Sequence, residues 1–381
     1  MKRIKVALAT HFPRELDRPK GGVESVSVIL ARALADCEDL DIHIVTFNSD
    51  KPQKTIEKHE AVTVHRLPEL KGSTLLNALG RGRKILQQYL HEIRADLVHA
   101  HDTYGIMVKG LQNPRVFTVH GFIFEDTLVS EKKMAWLRSK MWKLVETSAW
   151  ADQPNIISIS PYVRERLTGI TKGRIFDIDN PIDESFFQQK REERKGIIFS
   201  AAVISPRKNT LYLVRAVHNL KQKGVNCQLR LAGPVVNEEY GQRLKNEIKS
   251  LGIGENVTIL GSVSLSQIKR ELSEASVFAL VSLEENSPLV IEEAMAVGVP
   301  VVTSNRCGMP YMVRDGETGF LVDPRDVYDI SRRLEQLLRD TPLRVQFGEL
   351  ARKIALDRFH PRSVADKTRK VYLDILERHK R

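Results

Sequence analysis

The sequence predicts an α/β protein made of two doubly wound, Rossmann-like parallel-sheet domains in tandem. Three observations carry this: short β-branched runs alternate with longer helical patterns, the alternation restarts midway, and 381 residues suit two domains better than one. The first series is IKVALAT (4–10), a helix at 23–36, DIHIVTF (41–47), VTVHRL (62–67), a helical stretch at 74–94 and DLVHAHD (96–102). It continues with VFTVHG (116–121), a helix at about 131–150, NIISIS (155–160), a helix at 161–169 and IFDIDNP (175–181). The polar, aperiodic run QQKREERKG (188–196) reads as an interdomain linker, which sets a first domain at 1–187 and a second at 188–360. The second series is GIIFSAAV (196–203), CQLRLAG (227–233), NVTILGSV (256–263), VFALVS (277–282) and PVVTSN (300–305), with helices at 210–224, 238–252, 266–275 and 288–298 between them. Three helices close the chain, and residues 361–381 carry Val364, Val371, Tyr372 and Ile375 at near-helical spacing. Ligands of open parallel sheets bind beyond the carboxyl ends of the strands, so the loops after strands are expected to converge on a cleft between the domains.

Composition narrows the classes. With 42% apolar and 28% charged residues, no segment has the makeup of long disorder. The net charge of +11 suits an anionic membrane or a phosphate-bearing substrate, and equally a set of solvated Lys and Arg faces; no nucleic-acid partner is expected. Cys37, Cys227 and Cys307 lack the spacing of a zinc site and cannot all pair, which fits a reducing, cytoplasmic setting. The opening MKRIKVALATHF reads as a first strand rather than a signal peptide, and no uncharged apolar run approaches the ~20 residues that cross a bilayer.

The most informative segment is VSLEENSPLVIEEAMAVGVPVV (281–302). A strand ends in an acidic loop, Ser287 as N-cap and Pro288 as first helical residue open a helix, and Gly298 ends it. The free amides of the first turn, at the helix start from Ser287 to Leu289, would receive a phosphate or a sugar hydroxyl, Pro288 itself having no N–H to give. Glu293 sits among Leu289, Val290, Ala296 and Val297 at helical spacing and needs a partner for its carboxylate. Gly21 and Gly22, between the first strand and helix, permit close backbone approach to an anion. His101 and His120 stand at strand ends, where a structural role competes with a functional one.

These segments resemble the family 4 retaining glycosyltransferases (glycosyl transferases group 1, GT-B fold). Glu285 and Glu293, followed by AMAVGVPVV, look like that family's Glu-x7-Glu signature, and the resemblance, not periodicity, selects them over Glu284 and Glu292. It implies that Glu293 holds ribose, that Glu285 and His120 contact the donor sugar, and that Gly21 and Gly22 face the donor diphosphate and the acceptor. Lys208 falls on the family's diphosphate-binding lysine, but Val203 replaces its arginine and Asn209 the following glycine, so Arg207 is the candidate second cation. Gly233 in LAGP, Gly308 and the Asp-Gly-x-Thr-Gly turn at 315–319 follow the family's order, while Asn180-Pro181 stands where the family usually has Asn-Gly. The resemblance implies that the last helix crosses back to the first domain.

The expected function is transfer of a hexose from a UDP- or GDP-sugar, with retention, to a glycan, lipid-linked or small-molecule acceptor. No metal and no other cofactor is expected: Asp177-Ile178-Asp179 lies in a strand pattern without the flanking context of a metal-binding acid pair. The alternatives are an epimerase or phosphorylase on the same architecture, or a module that binds nucleotide and turns nothing over, which Val203 motivates. The segment 131–150 mixes Lys132, Lys133, Arg138, Lys140 and Lys143 with Trp136, Trp142 and Trp150, as in a helix lying on the inner face of an anionic membrane; an ordinary half-buried helix is the competing reading.

Overall fold

Val- and Ile-rich runs suit strands covered on both faces, and they build two separate sheets in the computed structural model, which describes residues 3–16, 18–128 and 134–380. Lys132 and Lys133 lie outside the described residues. The first series is β1 (Ile4–Ala9), α1 (Gly22–Ala35), β2 (Leu40–Ser49), β3 (Thr55–His59), β4 (Val62–Pro68), α2 (Thr74–Leu79), α3 (Arg81–Glu92), β5 (Leu97–His101) and α4 (Thr103–Met107). It runs on through β6 (Arg115–Val119), α5 (Ile123–Leu128), α6 (Ala135–Asp152), β7 (Asn155–Ser158), α7 (Pro161–Leu167) and β8 (Arg174–Asp177). The strand order is β3-β4-β2-β1-β5-β6-β7-β8, parallel except for β3 against β4. The antiparallel edge strand β3, TIEKH, escaped the sequence reading because its alternation is charged rather than apolar.

The second series is α8 (Ser185–Gln188), β9 (Ile197–Ala201), α9 (Thr210–Gln222), β10 (Gln228–Ala232), α10 (Glu238–Ser250), β11 (Val257–Gly261), α11 (Leu265–Glu274), β12 (Val277–Leu280), α12 (Leu289–Val297), β13 (Val301–Ser304) and β14 (Gly319–Val322). Helices α13 (Val327–Arg339), α14 (Thr341–Arg358) and α15 (Pro361–His379) follow. The sheet is all parallel, in the order β11-β10-β9-β12-β13-β14. The two doubly wound sheets are those the sequence predicts.

The chain divides into two compact units, one through Pro181 together with the residues from Pro361 onward, the other Ile182–His360. Helix α15 belongs to the first: Val364, Val371, Tyr372 and Ile375 are buried in one core with Val6, Leu8 and Leu34. Arg369 forks onto Asp39 at 2.7 and 2.8 Å, and that pairing holds the Asp39 carboxyl below its usual range. The polar run 188–196 is part of the second unit. Arg191 donates to the carbonyls of Leu272 and Ala275, each at 2.7 Å, and Glu193 accepts from Arg344 at 2.7 Å. The stretch 74–94 is two helices, because Gly80 closes α2 so tightly that a Cβ there would lie 2.9 Å from the Leu76 carbonyl oxygen. In α6, Trp142 and Trp150 are buried and Trp136 is exposed, so this helix divides between the two readings of its sequence.

Candidate functional site

In the second sheet the winding reverses between β9 and β12, the place where open parallel sheets hold ligands. The loop after β9 makes a 3-10 turn, Pro206–Lys208, and the loop after β12 runs to α12. They meet at Glu285, whose carboxylate accepts from the Lys208 ammonium and lies 3.3 Å from the Arg207 guanidinium. Arg207 also donates to the Glu284 carbonyl at 3.0 Å. Adjacent residues thus bring both cations to one carboxylate, and Val203 leaves no shortage of positive charge here. Asn209 has φ of 57°, a left-handed backbone that asparagine and glycine tolerate best, which explains both the family's glycine and its replacement. Its amide donates to the carbonyls of Val281 and Pro324 at 3.1 and 2.6 Å, tying the lysine turn to the β12 loop.

Helix α12 starts one residue later than the sequence suggests. Pro288 is the flanking residue and Leu289 the first helical one; the Ser287 hydroxyl donates to Glu292 at 2.8 Å instead of capping the helix. That bond distinguishes the two acids: Glu292 is fully buried and structural, whereas Glu293 is half-buried and makes no hydrogen bond or ion pair with another described residue. Burial first, and then the negative charge of Asp183, push the Glu293 carboxyl up to about 8.

Two glycines owe their identity to close backbone approach. A Cβ on Gly233 would lie 2.0 Å from the Ala202 carbonyl oxygen, and one on Gly308 would lie 1.7 Å from that of Asn286. The Gly308 amide donates to the Glu285 carbonyl at 2.8 Å, so this contact holds the acidic loop in position. Gly308→Ala is expected to lower stability by at least ~2 kcal/mol, measured by denaturant unfolding, through forced displacement of that loop. The turn at 315–319 is likewise architectural: the Asp315 carboxylate accepts from the Leu321 amide at 2.9 Å, and Thr318 is buried beneath it.

In the first sheet the winding reverses between β1 and β5. Gly21 precedes α1 with φ of 107° and nothing within 4 Å of where a Cβ would stand, leaving Gly21 and Gly22 approachable. His120 Nε2 lies 2.9 Å from His101 Nδ1, and Asn180 hydrogen-bonds the His120 side chain. Behind them, His99 lies 2.7 Å from the Tyr372 hydroxyl and 2.6 Å from Thr118 Oγ1. The Asn180-Pro181 pair therefore keeps the asparagine that steadies His120.

Burial holds the titration of His99 down at about 3 and of His120 at about 4, and that of His101 well below its ordinary 6.5. Below pH 6.5 the unfolded chain takes up protons that the folded one refuses, so stability falls as pH drops from 6.5 toward 4. The thermal midpoint should decline steadily over that window, and His99→Gln should flatten the decline.

The sequence reading passed over Asp102. It follows β5 at φ 46° and ψ −126°, a conformation that costs a non-glycine residue roughly 1–3 kcal/mol. Burial, with Asp126 nearby, pushes its carboxyl up to about 7. Asp102 lines a cavity of about 660 Å³ within this unit, together with His11, Thr103, Arg138 and Trp142. Glu146 accepts from the amides of Ile123 and Phe124 at 3.0 and 2.8 Å and is also raised to about 7, chiefly by burial. The signal available in the sequence was an acid directly after a strand, in HAHD.

Two family models together match residues 20–354: Glycosyltransferase Family 4 over residues 20–186 and Glycosyl transferases group 1 over residues 181–354. A Campylobacter jejuni galactosaminyltransferase, named for a diphospho-undecaprenol-linked acceptor, is 25% identical over 88% of this chain and 91% of its own. Sucrose-phosphate synthase from Thermosynechococcus elongatus superposes with a TM-score of 0.81 at 20% identity, covering 98% of this chain and 100% of that one. Anabaena HepE, solved with UDP-glucose, gives 0.73 at 18% identity over 98% and 100%. The chain belongs to the group 1 glycosyltransferases of family 4: it is a glycosyltransferase with the GT-B fold.

Proposed function

We propose that the enzyme transfers a hexose from a UDP- or GDP-sugar with retention at the anomeric carbon and without a metal ion. The convergence of Lys208 and Arg207 on Glu285, at the carboxyl ends of β9 and β12, supports this most directly. Two cations gathered on one carboxylate stand side by side where a diphosphate would lie, and so can stabilise the negative charge that grows on it as the sugar departs. The unsatisfied carboxyl of Glu293 suits a pair of ribose hydroxyls. The first-turn amides of α12, near Ser287, Pro288 and Leu289, add donors for the phosphates. Glu285 and His120 orient the sugar, and burial keeps His120 neutral so that it adds no charge. Gly21 and Gly22 let the phosphates approach the backbone, and Gly233 supports the neighbouring loop. The acceptor is a glycan, a lipid-linked sugar or a small molecule.

The test incubates the protein with UDP- and GDP-hexoses and candidate acceptors in the presence of EDTA. Release of nucleoside diphosphate is followed, and the anomeric proton coupling of the product is read. Retained configuration with EDTA present is the expected result. Inversion, or release that requires a divalent ion, would overturn the reading.

The first-unit cavity is read as the acceptor site, with Asp102 accepting a hydrogen bond from an acceptor hydroxyl. Asp102→Gly should then raise the melting temperature, since glycine relieves the strained backbone, while raising the KM for acceptor at least tenfold with donor affinity unchanged. Unchanged acceptor kinetics would remove Asp102 from the site.

A further inference from the structure

Half of the large apolar side chains exposed among the described residues lie on or beside α2, α5 and α6, among them Leu76, Leu79, Leu128, Trp136 and Leu144. Leu76 and Leu144 are 71% and 72% exposed, far beyond what scattered surface leucines need. The three helices are neighbours around one opening: Leu75 of α2, Thr127 of α5 and Met141 of α6 all line the first-unit cavity. The charge on and beside α2 and α6 is positive, while α5 carries the exposed acid Asp126 and Glu125, which pairs with Arg166. Arg81, Lys84, Arg138, Lys140 and Lys143 are exposed, and the sequence has no Asp or Glu from 70 to 91 or from 132 to 145. None of these five cations is ion-paired with a described residue, whereas exposed α13 pairs Arg332 with Asp329 and Arg339 with Glu335. The Lys140 ammonium lies 5.1 Å over the Trp136 ring, an arrangement with an apolar body and a cationic tip.

We infer that this face docks on an anionic lipid bilayer, the leucines and Trp136 entering the headgroup boundary while the lysines and arginines meet the lipid phosphates. A second copy of the chain is a poor occupant, because an isologous contact would set like charges against one another. Five exposed cations that pair with no described acid, around protruding leucines and outnumbering the one exposed acid described on these helices, Asp126, match a bilayer, which is both negative and apolar. The docking stands apart from the catalytic reading. Its consequence, that the acceptor is anchored in the lipid and enters the cavity from the membrane side, rests on the cavity being the acceptor site.

The experiment is flotation of the full chain with vesicles of phosphatidylcholine alone or with added phosphatidylglycerol, at low and high salt. The protein should float with anionic vesicles at low salt and be released by high salt. Each cation removed should weaken binding about fivefold, so the double variant Lys140→Glu/Lys143→Glu should lose binding, as should Trp136→Ser/Leu144→Ser. These side chains are exposed, so melting temperatures and nucleotide-induced stabilisation should match the parent. No flotation at low salt, or flotation indifferent to both variants, would overturn the inference. Overturned too would be its assignment to lipid if light scattering showed a dimer that both variants dissociate. Loss of nucleotide stabilisation in the unaltered chain would instead count against the donor reading and leave the docking result standing.

Discussion

Lys208→Ala should lower turnover by about 10²–10³-fold while leaving the fold intact, because one of two preorganised charges facing the departing diphosphate is lost. The structure sharpens this expectation. Lys208 and Arg207 share Glu285, so removing the lysine leaves Arg207 as the only one of the pair on that carboxylate. Arg207→Ala should be milder, since Arg207 is the more exposed of the two and is held partly by the Glu284 carbonyl. A steady-state comparison of the two variants and the double variant is the check. If they form one charge-stabilising unit, the double loss will fall short of the product of the single losses. Lys208→Ala turning over at the parent rate would remove the lysine from the reaction.

The second large effect belongs to Glu293. Truncating it to Ala should weaken nucleotide binding by about 10- to 100-fold, the worth of two hydrogen bonds to the ribose hydroxyls. Glu293→Gln adds a readout that a merely structural residue would not give. Burial, then the charge of Asp183, pushes the carboxyl up to about 8 from its ordinary 4.5. Between those values the folded state holds a proton that the unfolded state has released, so this group's contribution to stability declines as pH rises from 4.5 to 8 and is fully lost above 8. The parent should therefore melt progressively lower than Glu293→Gln as pH is raised through that window, although the Gln variant binds nucleotide poorly. Parallel melting curves would mean that the carboxyl is not held in this environment.

Much of the architecture was legible because parallel strands buried on both faces read as continuous apolar runs: β9, IIFSA, is buried at every position. Strand β3 was not, since an exposed edge strand of alternating charge carries no apolar period, and neither was the break at Gly80, since the apolar spacing continues across it. At the site, periodicity placed the acidic helix but could not tell Glu292 from Glu293. The difference lies in a tertiary hydrogen bond from Ser287, a residue that looked like a helix cap. Arg207 posed the same difficulty: adjacent side chains in an extended segment diverge, and only the 3-10 turn brings it beside Lys208. Asp102 gave only a weak signal, an acid directly after a strand, because its distinguishing property is a backbone conformation.

The central claim is that the carboxyl ends of β9 and β12 hold a nucleoside diphosphate sugar. Thermal-shift measurement with UDP, GDP and ADP and their sugar conjugates, in EDTA, tests it most directly, because a ligand that binds only the folded state raises the midpoint. The account predicts a rise with a uridine or guanosine diphosphate that is lost in Glu293→Ala and reduced in Lys208→Ala; no rise with any nucleotide, or an equal rise in both variants, would contradict it.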